Sequence, residues 1–277
     1  MSLLFSGLPA GDLVKALYRG LLRREPDPAA QDKVVRLEAG EFTVEDLLRE
    51  FLQSDEYVSL GGASHRFLND QTQFGEFELL LKRWIALANP QPWVVDVGAR
   101  GRERSNSYDL LRTFGWKGVL VEANPNLIPS ITEDFDGLDI DLIQCAVSDY
   151  DGEATFFLGV NADVSSLNEG ASAGWGPIVG QVTVPVRRLG PLLRERQVPE
   201  DFGLLSIDIE GEDIRVLNDL VSNFGYRPRW VIIEASYNFQ TTSLDDQPFD
   251  ETVRANYELV AQTAANLILE LRPAPTA

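Results

Sequence analysis

Five acidic residues stand at the ends of short apolar runs. They are Asp96 in Val94-Val95-Asp96-Val97, Glu122 in Val119-Leu120-Val121-Glu122, Asp208 and Glu210 in Ser206-Ile207-Asp208-Ile209-Glu210, and Glu234 in Val231-Ile232-Ile233-Glu234. Apolar runs of this length, separated by helical patterns, read as buried parallel strands. In an open α/β sheet ligands bind beyond the carboxyl ends of the strands, so the fold gathers these acids along one edge. Carboxylates held together need hydroxyls, cations or protons to compensate them. Such a group suits removal of a proton from a weakly acidic hydroxyl, or coordination of a divalent ion that lowers the hydroxyl's pKa. Asp208 and Glu210 lie two positions apart on a strand, which turns them to one face as a pair. The plain structural alternative for each acid is capping of the helix that follows, and for Asp208 that helix is 212–224.

Asp96 opens a tight turn, Gly98-Ala99-Arg100-Gly101, and Ser105-Asn106-Ser107 then starts a helix. Strand, turn and helix N-terminus in this order hold nucleotide-like ligands. Glu122 follows Asp96 by 26 residues (122 − 96), close to the roughly 20 expected of the acid that binds ribose hydroxyls. The turn is not a dinucleotide fingerprint, because a third glycine is missing and Glu103 would repel a pyrophosphate. A cofactor without phosphates fits better, and S-adenosylmethionine is one. Ala146-Val147-Ser148-Asp149 offers an apolar slot with polar neighbours for its adenine.

The elements that must position these residues form an α/β unit. Strands are expected at Trp93–Val97, Gly118–Ala123, Asp141–Val147, Leu204–Ile209, Trp230–Glu234 and Leu267–Leu271. Helices are expected at about Ser107–Phe114, Leu189–Arg196, Glu212–Phe224 and Glu251–Ala264, giving a mostly parallel sheet flanked by helices. Residues 154–158 and 182–186 read as strands on either side of a Gly/Ser-rich loop, 161–180, whose Trp175 would stack on a sugar face if the loop is a lid. Residues 11–60 read as all helix. Leu13, Leu17, Leu21 and Leu22 recur at helical spacing, Pro26 and Pro28 break the pattern, a helix runs from Ala29 to Glu38, and Thr43 with Asp46 makes a capping box. Gly61-Gly62-Ala63-Ser64 is the linker, Phe77–Ala86 a helix, and the domains are 1–62 and 63–277.

Net charge is −19 over 277 residues, which repels nucleic acid and anionic lipid. No apolar run approaches the roughly 20 residues that span a bilayer. No signal peptide is evident, and one cysteine, Cys145, in an apolar run, fits a reducing compartment; the expected location is cytoplasmic. The single histidine, His65, excludes a multi-histidine metal site and is an alternative base.

Several of these stretches together resemble the FkbM-type methyltransferases. They are Val95-Asp96-Val97-Gly98-Ala99, Ser105-Asn106-Ser107-Tyr108, Gly115–Pro125, Ala146-Val147-Ser148, Ser165-Ser166-Leu167 and Leu205–Asp213. Phe74-Gly75-Glu76 resembles the short family motif near the methionine end of the cofactor. Arg100 and Ala123 stand where the family usually has Asn and Pro. The resemblance implies a class I (Rossmann-like) methyltransferase fold preceded by a small all-helical domain, and methyl transfer from S-adenosylmethionine to oxygen. The implied cofactor-binding residues are Phe74, Asp96, Gly98, Ala99, Gly101, Ser105, Asn106, Glu122, Ala123, Asn124, Ala146, Val147 and Ser148. The catalytic candidates are Asp208, Glu210 and Glu234, with Asp208 and Glu234 the ligands if a divalent ion such as magnesium takes part.

Leu17–Pro28 and Phe51–Tyr57 resemble a helical domain of unknown function attached to bacterial surface-layer and glycosyltransferase proteins. By association, the acceptor is a sugar or polysaccharide hydroxyl, and glycan-assembly proteins or a second copy of the chain are partners for the helical domain. The alternatives are a small-molecule natural-product O-methyltransferase and a non-catalytic docking module.

Overall fold

The structure is a computed structural model that describes residues 9–22, 24–41, 43–59, 71–77, 79–80, 91–161, 165–174, 176–234 and 243–273. The linker 61–64, His65, residues 81–86 of the expected helix and Trp175 lie outside the described residues.

Seven strands form one sheet: β1 (Gln91–Val97), β2 (Lys117–Glu122), β3 (Ile140–Gln144), β7 (Phe202–Ile207), β8 (Trp230–Glu234), β9 (Tyr257–Gln262) and β10 (Asn266–Leu271). Their order is β3-β2-β1-β7-β8-β10-β9. The pairs β1–β2, β2–β3, β1–β7 and β7–β8 are parallel, whereas β10 runs antiparallel to both β8 and β9. A smaller sheet, β4-β6-β5, is built from Ala146–Ser148, Ile178–Arg188 and Gly152–Gly159.

Alternation along each strand splits the core in two. Val94, Leu120, Leu204, Ile232 and Ile268 belong to one apolar cluster. Val95, Val119, Leu205, Val231 and Leu267 belong to the other, with the helices Leu189–Glu195, Asp213–Phe224 and Glu251–Asn256. The first cluster runs without a break into the N-terminal helices, taking in Leu13, Leu17, Leu21, Leu47, Leu48 and Phe51. These helices are Ala10–Leu22, Ala30–Glu38, Val44–Leu52 and Asp55–Ser59, and Thr43 and Asp46 cap the third reciprocally.

Three expectations are corrected. The third strand is not continuous to Val147: β3 stays in the large sheet beside β2, and after Cys145 the chain leaves to pair with β6. The fourth stops at Ile207, so Asp208 and Glu210 lie in a loop. The last helix ends at Asn256, and residues 257–262 form the edge strand β9. Pairing over five registered positions satisfies the outer backbone of β10, which a helix could not do.

Candidate functional site

The strand phase sets the site. Asp96, Glu122, Ser206 and Glu234 share the parity of Val94, Leu120, Leu204 and Ile232, so all four lie on one face at the carboxyl ends of adjacent strands. Asp96 pairs in register with Ser206, and Ser206 with Ile232. Asp96 is buried and accepts a hydrogen bond from Ser107 Oγ at 2.6 Å. Burial raises its pKa, against the hydrogen bonds from Ser107 and Ser206. Asn106 Nδ2 donates to Ser206 Oγ at 3.1 Å, and Ser105 Oγ accepts from the amides of Ser107 and Tyr108. Ser105-Asn106-Ser107 therefore both starts the helix and supports the acid.

The turn after Asp96 is pinned between its neighbours. The amides of Gly98 and Ala99 both donate to Val121 O, and the Asp208 amide donates to Val97 O. Gly98 has φ +84, and a Cβ there would overlap the Asp208 carbonyl oxygen and lie 2.8 Å from its carbon. Only glycine allows this approach.

The Asp208–Asp213 loop is held from three directions. The Asp213 carboxylate accepts from the amides of Ile209 and Gly211, each at 2.9 Å. Ser166 Oγ donates to Glu210 O at 2.8 Å. Glu210 sits at φ +58 and Gly211 at φ +111. Asp213, not Asp208, thus satisfies the loop amides before the helix Asp213–Phe224, and its own pKa is pushed up to about 6 by burial. Strand alternation, expected to pair Asp208 with Glu210, does not apply in a loop, yet the two converge because Glu210 takes a left-handed conformation. Carboxylate oxygens of Asp208, Glu210 and Glu234 all lie within 4.8 Å of one another. Burial, then the charges of Asp208, Glu210 and Asp213, push the Glu234 pKa up to about 9.

A cavity of about 270 Å³ opens over these ends. Of the sequence candidates it brings together Asp96, Gly98, Ala99, Ser105, Asn106, Glu122, Ala123, Ala146, Val147, Asp208, Glu210 and Glu234. Four candidates are outside its lining. The Phe74 amide donates to Glu76 Oε2, beside lining residue Gln73. Gly101 packs on Asp134. Asn124 braces Ser165, and Ser148 donates to Glu212 Oε2 at 2.7 Å. The lining also holds Arg100, Arg104, Cys145, Phe156, Leu167 and Glu212, which were not among the candidates. Leu167 lies in the Ser165-Ser166-Leu167 motif and Cys145 in an apolar run, so each had a signal; Arg104, held at φ +66, had none.

The lining divides by chemistry. Ala123, Leu127, Cys145, Ala146, Val147 and Phe156 form an apolar slot, with Glu122 at its edge. Cys145 is a buried thiol whose pKa burial raises to about 11, which keeps it protonated and inert. Six carboxylates face two guanidinium groups in the described lining. An apolar slot for a flat base, an acid at its rim and a glycine turn beside a carboxylate cluster fit a cationic adenosyl cofactor without phosphates. A divalent ion would find its ligands in Asp208, Glu210 and Glu234.

Comparison with curated proteins returns no match to the chain. Residues 96–258 match the family described as Methyltransferase FkbM domain. That segment is more than half of the chain and includes all five acids, Asp96, Glu122, Asp208, Glu210 and Glu234, so the chain belongs to the FkbM methyltransferase family.

Proposed function

We propose that the chain is an S-adenosylmethionine-dependent O-methyltransferase whose acceptor is a sugar or polysaccharide hydroxyl. The observation that carries this reading is the convergence of Asp208, Glu210 and Glu234 beside the Gly98 turn. S-adenosylmethionine, when bound, supplies a methyl group already activated as a sulfonium. The chain must then align an acceptor oxygen and take its proton. Asp208 is the base in this reading: its backbone abuts the Gly98 turn, it is the exposed member of the acidic cluster, and Asp213 takes the loop amides ahead of the helix. In that transfer the acceptor oxygen would take the methyl as its bond to sulfur breaks and a neutral thioether leaves, and the hydroxyl proton would pass to Asp208. Glu210 adds negative charge beside Asp208, while Glu234, its pKa raised to about 9, keeps its own proton and adds none near neutral pH. Glu122 supports ribose binding, and the slot of Ala146 and Val147 supports adenine.

The helical segment 1–62 is read as a cap on one sheet face, since its leucines share that face's apolar core. No helix among the described residues is long and apolar enough to cross a membrane.

Calorimetry with S-adenosylmethionine comes first, and absence of binding at millimolar ligand would favour a non-catalytic docking module. Turnover with labelled cofactor over a panel of glycans and small natural-product hydroxyls then names the acceptor. Transfer only to the small molecules would replace the sugar assignment. Asp208→Asn is expected to abolish transfer and retain cofactor binding; unchanged turnover removes Asp208 from the mechanism.

A further inference from the structure

Glu212 faces the cavity from just before the helix Asp213–Phe224. Its side chain is 14% exposed, and both of its polar contacts go to one oxygen. Ser148 Oγ donates to Oε2 at 2.7 Å, and Arg215 Nη1 lies 3.3 Å from the same atom. Oε1 has no partner among the described residues. Ser148 ends β4, directly after Ala146 and Val147 of the apolar slot, and 64 residues of chain separate it from Glu212. The tertiary fold thus sets Glu212 in the cavity lining beside the slot and holds its Oε2 with two donors, leaving Oε1 for a ligand.

An oriented acceptor in an apolar slot demands a donor from whatever fills it, because a desolvated carboxylate oxygen without a hydrogen bond is costly. The cofactor reading puts a purine in this slot. Adenine carries an exocyclic amine, a donor, at C6. A 6-oxo purine has a carbonyl acceptor at that position, which would face the carboxylate.

We infer that Glu212, held by Ser148 and Arg215, accepts a hydrogen bond from the adenine amine and selects a 6-amino purine over a 6-oxo purine. This rests on the S-adenosylmethionine reading above, and extends it to a residue that the sequence motifs did not assign to the cofactor.

Glu212→Gln reverses the chemistry of the free position. Ser148 and Arg215 are both donors, so they retain the amide carbonyl oxygen and turn the amide NH2 toward the cavity. That group pairs with a 6-oxo purine and not with an amine.

The test is calorimetry of S-adenosylhomocysteine and S-inosylhomocysteine with the full chain, wild type and Glu212→Gln. Wild type is expected to bind the adenosyl compound about ten- to a hundredfold more tightly, the loss that follows when a built polar site meets the wrong partner. Glu212→Gln is expected to abolish or reverse that ratio. A loss of packing or stability alone would weaken both ligands together and leave the ratio intact. Ser148→Ala, which removes one of the two donors, is expected to shrink the ratio without reversing it. Equal binding of the two compounds by wild type overturns the inference, as does an unchanged ratio in a folded Glu212→Gln. Failure of wild type to bind either compound instead overturns the cofactor reading.

Discussion

Gly98→Ala tests how the turn and the acidic loop depend on each other. The residue has φ +84 and abuts the Asp208 carbonyl, so an alanine meets two penalties. The left-handed backbone costs about 1–2 kcal/mol for a residue with a Cβ. The added carbon would also overlap the Asp208 oxygen, and carbon–carbon contact needs roughly 3.5–4 Å where 2.8 Å is present. The two backbones must therefore part by about an ångström. That shift strains the Val97–Asp208 hydrogen bond and adds a similar cost, for about 2–4 kcal/mol in all. A domain stable by about 5–15 kcal/mol remains folded after such a loss. Function suffers more, because about an ångström of misplacement at a reacting centre lowers the rate roughly a hundredfold. Gly225→Ala is the control: it has φ +77 and nothing within 4 Å of the added carbon. It is expected to lose about 1–2 kcal/mol and keep full turnover. Denaturant midpoints and kcat/KM, measured on both variants, separate the two penalties. The reasoning is refuted if Gly98→Ala keeps turnover within a few fold of wild type, or is no less stable than Gly225→Ala.

Glu234→Gln should change the pH dependence of stability. The folded pKa is raised from 4.5 to about 9, so the folded chain holds a proton that the unfolded chain has released across this window. Stability from this group therefore falls as pH rises from about 4.5 to 9. The variant should gain on wild type at pH 9 and differ little at pH 4.5 in thermal melts; a gain independent of pH would contradict the electrostatic cause. Glu76 is fully buried and accepts from the Phe74 amide, Thr263 Oγ1 and Asn266 Nδ2, each at 2.9 Å. Glu76→Ala takes the acceptor from the Phe74 amide and Asn266 Nδ2 and leaves Thr263 Oγ1 only a 3.4 Å contact to Asn266 O, and is expected to cost about 3–5 kcal/mol in denaturant titration; a loss below about 1 kcal/mol would refute this. With a carboxylate as the base, turnover should survive full chelation. Loss of activity that magnesium restores would assign the three acids to a metal instead.

Much of the site was legible because burial and period leave a trace along the chain. Asp96, Glu122 and Glu234 end apolar runs, and their even phase with Val94, Leu120 and Ile232 places them on one face of any sheet that pairs those runs. The capping box of Thr43 and Asp46 is equally local. The end of the chain was less legible: 251–264 carries helical spacing, yet Tyr257–Gln262 pairs with β10, because β10 is buried and its outer backbone needs partners, whereas the half-exposed β9 can turn its own edge to water. The break after Cys145 follows from two sheets competing for one apolar run.

Composition and strand pattern by themselves determined an α/β sheet with acids at its carboxyl edge and a glycine turn that lacks the third glycine of a dinucleotide fingerprint. Those features depend on residues close together in sequence, where spacing and propensity act directly. Only the tertiary structure decided that Asp213 takes the loop amides ahead of the helix. It alone placed Glu210 beside Asp208 through a positive φ, and fixed Glu212 against Ser148 across 64 residues. Such arrangements are set by packing between distant segments, and no local period records which distant partner a carboxylate will meet.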